Sequence, residues 1–190
     1  VIKKESMEAK PLFKEIGDLK IDFVKLDIQG GELNALRGLE ESLNDCLAME
    51  IEVEFSEMYN SQPLFGEVHN FLSSKGYYFF DFVNLCRWER NSHNGFGRCI
   101  FGDGLWMKEL KNLDSNNTET YLKYAAICSL YGLTEEAINS LQFLEGTITS
   151  KFKSSLLEQL KQQKKERRNF NLLNRLWNLY APNTRLVLLD

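Results

Sequence analysis

Asp22 to Arg37 reads DFVKLDIQGGELNALR, and this stretch decides the fold. Phe23, Val24, Leu26 and Ile28 make a near-continuous apolar run of the kind a parallel strand buried on both faces needs. Asp27 interrupts the run near its carboxyl end. Gly30 and Gly31 then permit a sharp turn. Glu32, Leu33, Ala35, Leu36 and Leu39 recur at helical spacing, with the acid in the first turn, where the helix dipole favours it. The stretch reads strand, turn, helix. In open α/β sheets ligands sit outside the carboxyl ends of the strands, so Asp27 is the first functional candidate. The plainer alternative is that it caps the following helix.

Downstream the same grammar repeats. Leu47 to Phe55, LAMEIEVEF, alternates strictly, with Ile51, Val53 and Phe55 on one face and Glu50, Glu52 and Glu54 on the other. Three like charges on one face of an internal strand repel and desolvate one another. Either that face is open to solvent, or Glu54, nearest the carboxyl end, lines a cleft while the other two pair with Lys or Arg. Leu64 to Ser74 has helical spacing and is closed by Gly76. Tyr77 to Trp88 and Arg98 to Lys108 are β-prone and flank a loop rich in Asn, Ser and Gly. In that loop His93 reads as a bystander or a proton shuttle. Val1 to Gly17 reads as a strand end or loop with a short helix.

From Lys111 the composition changes. Residues 111–117 read as a linker and 118–190 as a helical extension. Tyr121, Leu122, Ala125, Ala126, Ser129 and Leu130 line one helix, and Gly132 stops it. Thr134 is placed to cap the next, in which Ala137, Ile138, Leu141 and Leu144 face inward. YGLTEEAINSLQFLE is like half of a tetratricopeptide repeat, but a single copy cannot build a repeat core.

The 190 residues are 43% hydrophobic, enough for one main core with an appendage. The net charge of −4 disfavours a general nucleic-acid binder, which needs a basic surface. A local exception is Lys151 to Arg168, with seven basic and two acidic residues, which reads as a solvated helix face or a docking patch. Cys46, Cys86, Cys99 and Cys128 form no CxxC pair and do not cluster with His69 or His93. No structural zinc site is expected, each cysteine reads as a small buried hydrophobe, and a reducing cytoplasm fits. No apolar run reaches the length of a membrane span.

Three runs together resemble the FkbM family of S-adenosylmethionine-dependent methyltransferases. They are DFVKLDIQGGELNALRGL, MEIEVEFSEMYNSQPLFGEVHNFLSSKGYYFFDF and FGDGLWMK, covering Ile21 to about Lys108. The resemblance implies an α/β fold in which residues 1–110 supply the C-terminal half of a Rossmann-like class I methyltransferase sheet. Its strands 4, 5, 6 and 7 would be Asp22 to Ile28, Ala48 to Phe55, Tyr77 to Phe82 and Cys99 to Met107, within the order 3-2-1-4-5-7-6. S-adenosylmethionine is the implied cofactor. The glycine-rich turn and the ribose-binding acid of the family are absent before Ile21. The expectation is therefore either a homo-oligomer pairing through the strand-4 edge or an N-terminal half that lies outside this sequence.

The resemblance further implies transfer of a methyl group to a hydroxyl of a small-molecule or glycan acceptor, with no membrane or nucleic-acid partner. Asp27 is then the catalytic base or a metal-holding acid, with Glu54 as the second catalytic candidate. Gln29 stands where many relatives carry Glu and can hydrogen-bond an acceptor or the cofactor, but it cannot act as a base. Glu32 orients substrate or only serves the helix dipole. Tyr59 and Gln62 bind acceptor or only build a turn. The competing reading is a non-catalytic, truncated relative that binds a partner through its helical part.

Overall fold

A computed structural model of the chain describes residues 20–90, 97–114 and 117–144, together with Lys14 and positions 154–155, 157–159 and 161–162. Apart from those scattered positions, the readings for residues 1–17, for His93 and for the basic run 151–168 lie outside the described residues. The chain divides into two compact units, residues 1–112 and 113–190.

In the first unit, β1 (Phe23–Leu26) leads through α1 (Glu32–Leu39) and a 3-10 turn (Glu40–Asn44) to β2 (Ala48–Glu54). Then follow α2 (Phe65–Ser74), β3 (Tyr77–Trp88), β4 (Arg98–Lys108) and a second 3-10 turn (Leu110–Asn112). The strands form one mixed sheet in the order β1-β2-β4-β3. β1 runs parallel to β2, and β4 is antiparallel to both β2 and β3.

Alternation in β2 sends Met49, Ile51 and Val53 into a core shared with Leu33, Leu36 and Leu39 of α1, Val68 and Leu72 of α2, and Trp106 of β4. Leu36, Leu72 and Trp106 are all fully buried, each side chain contributing about 1.5–3 kcal/mol by leaving water. Trp106 has room because its neighbour is Gly104, where a Cβ would stand 2.5 Å from the indole ring. The Tyr77 hydroxyl lies 2.6 Å from the carbonyl oxygens of both Leu43 and Cys46, tying the 3-10 turn to the start of β3.

Four expectations need correction. β1 stops at Leu26, and Ile28 is 51% exposed, because Gln29 takes a left-handed backbone (φ 58°) and turns the chain away from the sheet. The turn uses Gln29 and Gly30 (φ 99°) in the left-handed region, not Gly30 and Gly31. β3 extends to Trp88, beyond the Phe82 limit that the resemblance implied, because β4 stays paired with it through Arg98. Of the four cysteines only Cys46 and Cys128 are buried; Cys86 and Cys99 are partly exposed towards the far end of the β3-β4 hairpin.

The second unit is a helical hairpin, α3 (Thr118–Leu130) and α4 (Thr134–Gln142). The buried side of α3 runs through Tyr121, Tyr124, Ala125, Ile127 and Cys128, while Leu130 is 82% exposed, so the apolar stripe is rotated from the expected one. Gly132 (φ 72°) makes the turn. Thr134 is the first helical residue and not the cap, which is Leu133. Ser140 Oγ donates to the Tyr121 carbonyl at 2.7 Å, and Tyr121 stacks on Phe143 with ring centroids 5.5 Å apart.

Candidate active site

The carboxyl ends of β1 and β2 lie side by side because the two strands are parallel and in register, Lys25 opposite Glu50 and Leu26 opposite Ile51. That register brings the turn after β1 next to the glutamate face of β2. Glu50, Glu52 and Glu54 are 8%, 7% and 1% exposed, which excludes a solvent-open face. Glu50 meets the Lys25 ammonium, the expected cation pairing. Glu52 has a different partner. Gln29 Nε2 donates to Glu52 Oε1 at 2.8 Å and to Asp27 Oδ1 at 3.1 Å, so one neutral amide bridges two carboxyl groups.

The rest of the turn is held from below by Glu32, which is 2% exposed. Its two oxygens accept from the backbone of Ile28 at 2.8 Å and of Gly30 at 2.9 Å. These bonds fix the left-handed pair Gln29-Gly30. They also occupy both oxygens of Glu32 with backbone donors.

A second loop closes over the first. Gln62 Oε1 accepts from the backbone of Met58 at 2.7 Å and of Tyr59 at 2.6 Å. Tyr59, half exposed, donates its hydroxyl to Gln29 Oε1 at 3.3 Å. A Cβ on Gly30 would stand 3.4 Å from both Gln62 Cβ and Tyr59 Cδ2, so the two loops touch across that glycine. The structure thus brings Asp27, Gln29, Glu32, Tyr59 and Gln62 together around the end of β2. Glu54 lies near Gln62 at the same strand end.

Electrostatics mark two carboxyl groups. Burial pushes Glu52 up to about 7, and the carboxylates of Asp27, Glu54, Asp103 and Glu32 push the same way. Asp103 contributes because β4 places it directly opposite Glu52. Glu54 is also raised, chiefly by burial and then by Glu32. Among the described residues, Glu54 Oε1 and Gln62 Nε2 are buried with no hydrogen-bond partner, an acceptor and a donor left unpaired at the same strand end. Perturbed acids gathered at a strand terminus are a mark of functional sites.

Glu52 and Asp103 are the residues that sequence reasoning missed. The alternation of β2 put Glu52 on the right face, but nothing local distinguished it from Glu50. The signal lay in the cross-strand pairing with Asp103, midway along β4, visible only once β4 is placed between β2 and β3. No group of acids, cysteines and histidines among the described residues has the geometry to hold a metal ion. No described helix is long and apolar enough to cross a membrane.

No curated protein and no solved structure matches the chain. The family model described as the methyltransferase FkbM domain matches residues 2–79. That span begins upstream of β1 and takes in β1, α1, β2 and α2, with every clustered residue except Asp103. It stops short of most of the β3-β4 hairpin, which the sequence resemblance had included. Over residues 2–79, less than half of its 190 residues, the chain is therefore similar to the methyltransferase FkbM domain.

Proposed function

We propose that this chain carries the acceptor side of an S-adenosylmethionine-dependent methyltransferase that moves a methyl group to a hydroxyl oxygen. The order β1-β2-β4-β3, parallel and then antiparallel, supports reading the four strands as the fourth, fifth, seventh and sixth of a Rossmann-like class I sheet. The observation that carries the functional reading is the Gln29 amide bridging Asp27 and Glu52, with Glu52 poised near 7.

The described residues suit the methyl-bearing end of the donor. Its sulfonium is a cation, and Asp27, Glu32, Glu52, Glu54 and Asp103 form an acidic surround for one. They include no glycine-rich turn and no ribose-binding acid for the adenosine end. When bound, the donor supplies an electrophilic methyl group. Glu52, as carboxylate, would take the proton of the acceptor hydroxyl. A base titrating near neutral pH is matched to that task and contributes about 10²–10⁴ in rate. Asp27 and Glu54 keep Glu52 basic by repulsion. Gln29 holds its carboxyl in place, and Tyr59 orients Gln29.

Isothermal titration of the chain with S-adenosylhomocysteine tests the reading. Saturable binding, weakened about tenfold or more by Asp27→Ala, is expected. Absence of heat at high ligand overturns the reading for this chain.

A further inference from the structure

A cavity of about 410 Å³ opens beyond the end of β2, within the range of small-molecule sites. Ser56, Met58, Cys86, Trp88, Ile100 and Phe101 line it. Its wall residue Phe101 neighbours the acidic cluster, being the cross-strand partner of both Glu54 and Cys86.

The lining says what it takes. Two aromatic side chains, a thioether, a thiol and an isoleucine give it apolar walls. Its charged members are engaged elsewhere: Glu57 Oε1 accepts from the Ser61 backbone at 2.7 Å, and Arg87 Nη1 donates to the Gly97 carbonyl at 3.4 Å. The polar atom left over is Ser56 Oγ, buried with no hydrogen-bond partner. A sugar brings a hydroxyl on nearly every carbon and would leave most of them unpaired against these walls. A planar ring with one hydroxyl leaves none.

We infer that this cavity binds a small aromatic alcohol, its ring between Trp88 and Phe101 and its oxygen towards Ser56 and Glu54. That it is the methyl acceptor rests on the function proposed above; that it binds does not.

The probe is 2-naphthol, titrated calorimetrically into the whole chain against methyl glucoside as the sugar control. Saturable naphthol binding at least about tenfold tighter than the glucoside is expected, falling about tenfold in Trp88→Ala, whose side chain is 60% exposed and carries little of the fold. In the unaltered chain, naphthol should also slow alkylation of Cys86 by iodoacetamide, read on the Cys86 peptide by mass. Equal or tighter glucoside binding, no binding of either, or naphthol binding that leaves both Trp88→Ala and Cys86 alkylation unaffected would overturn the inference. Naphthol binding without its methylation upholds the cavity and counts against the transfer reaction. Methylation of a sugar without naphthol binding does the reverse.

Discussion

Replacing Glu52 with glutamine should make the protein more stable and less active, and the stability gain should appear only at high pH. The ordinary glutamate value is 4.5 and the folded one is about 7, a difference of about 2.5 pH units. The folded state therefore binds the proton more tightly than the unfolded state. Stability from this group is fully present below pH 4.5 and is lost as pH rises through about 7. At about 1.36 kcal/mol per pH unit the ceiling is about 3 kcal/mol. Only 7% of the residue is exposed, yet its carboxyl is bonded to the amide of Gln29, an exposed residue. Solvent screening there cuts the figure to about 1–2 kcal/mol. Glu52→Gln keeps an oxygen for the Gln29 amide and removes the ionisation, so urea unfolding at pH 8 should show that gain, and at pH 5 almost none. Turnover should fall by about 10²–10⁴ if Glu52 takes the acceptor proton. A stability difference equal at pH 5 and pH 8 would refute the placement of Glu52 among opposing carboxylates. A variant with full turnover would refute its role as base.

Two further substitutions test the scaffold. Gly104→Ala places a Cβ 2.5 Å from the buried Trp106 ring and should cost about 1–3 kcal/mol in urea unfolding, with a changed near-ultraviolet tryptophan signal; an unchanged midpoint would mean that the ring has room to move. Glu32→Ala frees the Ile28 and Gly30 amides and should cost about 1–2 kcal/mol, partly restored in Glu32→Gln, which keeps one acceptor; equal losses in the two variants would argue against the double backbone bond.

Local signals made the elements legible and left the site half hidden. LAMEIEVEF reads as a strand because a period of two admits no helix, and the structure sets β2 at Ala48–Glu54. β3 and β4 fall at the expected Tyr77–Trp88 and Arg98–Lys108, since aromatic and β-branched runs flanking a glycine-rich loop suit a hairpin. Asp27 is legible because ligand sites in parallel sheets lie at strand ends, whereas Gln29, Glu32, Tyr59 and Gln62 enter as candidates through the family resemblance. Their mutual bonds were not legible. The turn chose Gln29 over Gly31 for a left-handed backbone because the Glu32 carboxylate pins the amides on either side of it, a tertiary bond with no signature in residue type. The expectation that Glu52 would pair with a cation failed for the same reason: its partner comes from a loop 23 residues earlier in the chain.

Gln29 joins the turn after β1 to the acidic face of β2. Around it stand Asp27 at 3.1 Å and Glu52 at 2.8 Å, with Glu54, Asp103 and Glu32 adding their charges to the same field. A carboxylate at position 29 would set a third acceptor against two acceptors and add one more negative charge to the same field. An amide inverts that: its two N–H bonds satisfy both carboxyl groups, and its oxygen still takes the Tyr59 hydroxyl at 3.3 Å. The strained backbone of Gln29 aims the side chain at both acids at once. Strain of this kind costs about 1–3 kcal/mol and persists only where surrounding bonds hold it. Here Glu32 does the holding from inside the turn, so a residue with no evident chemistry of its own becomes the condition for the geometry that has it.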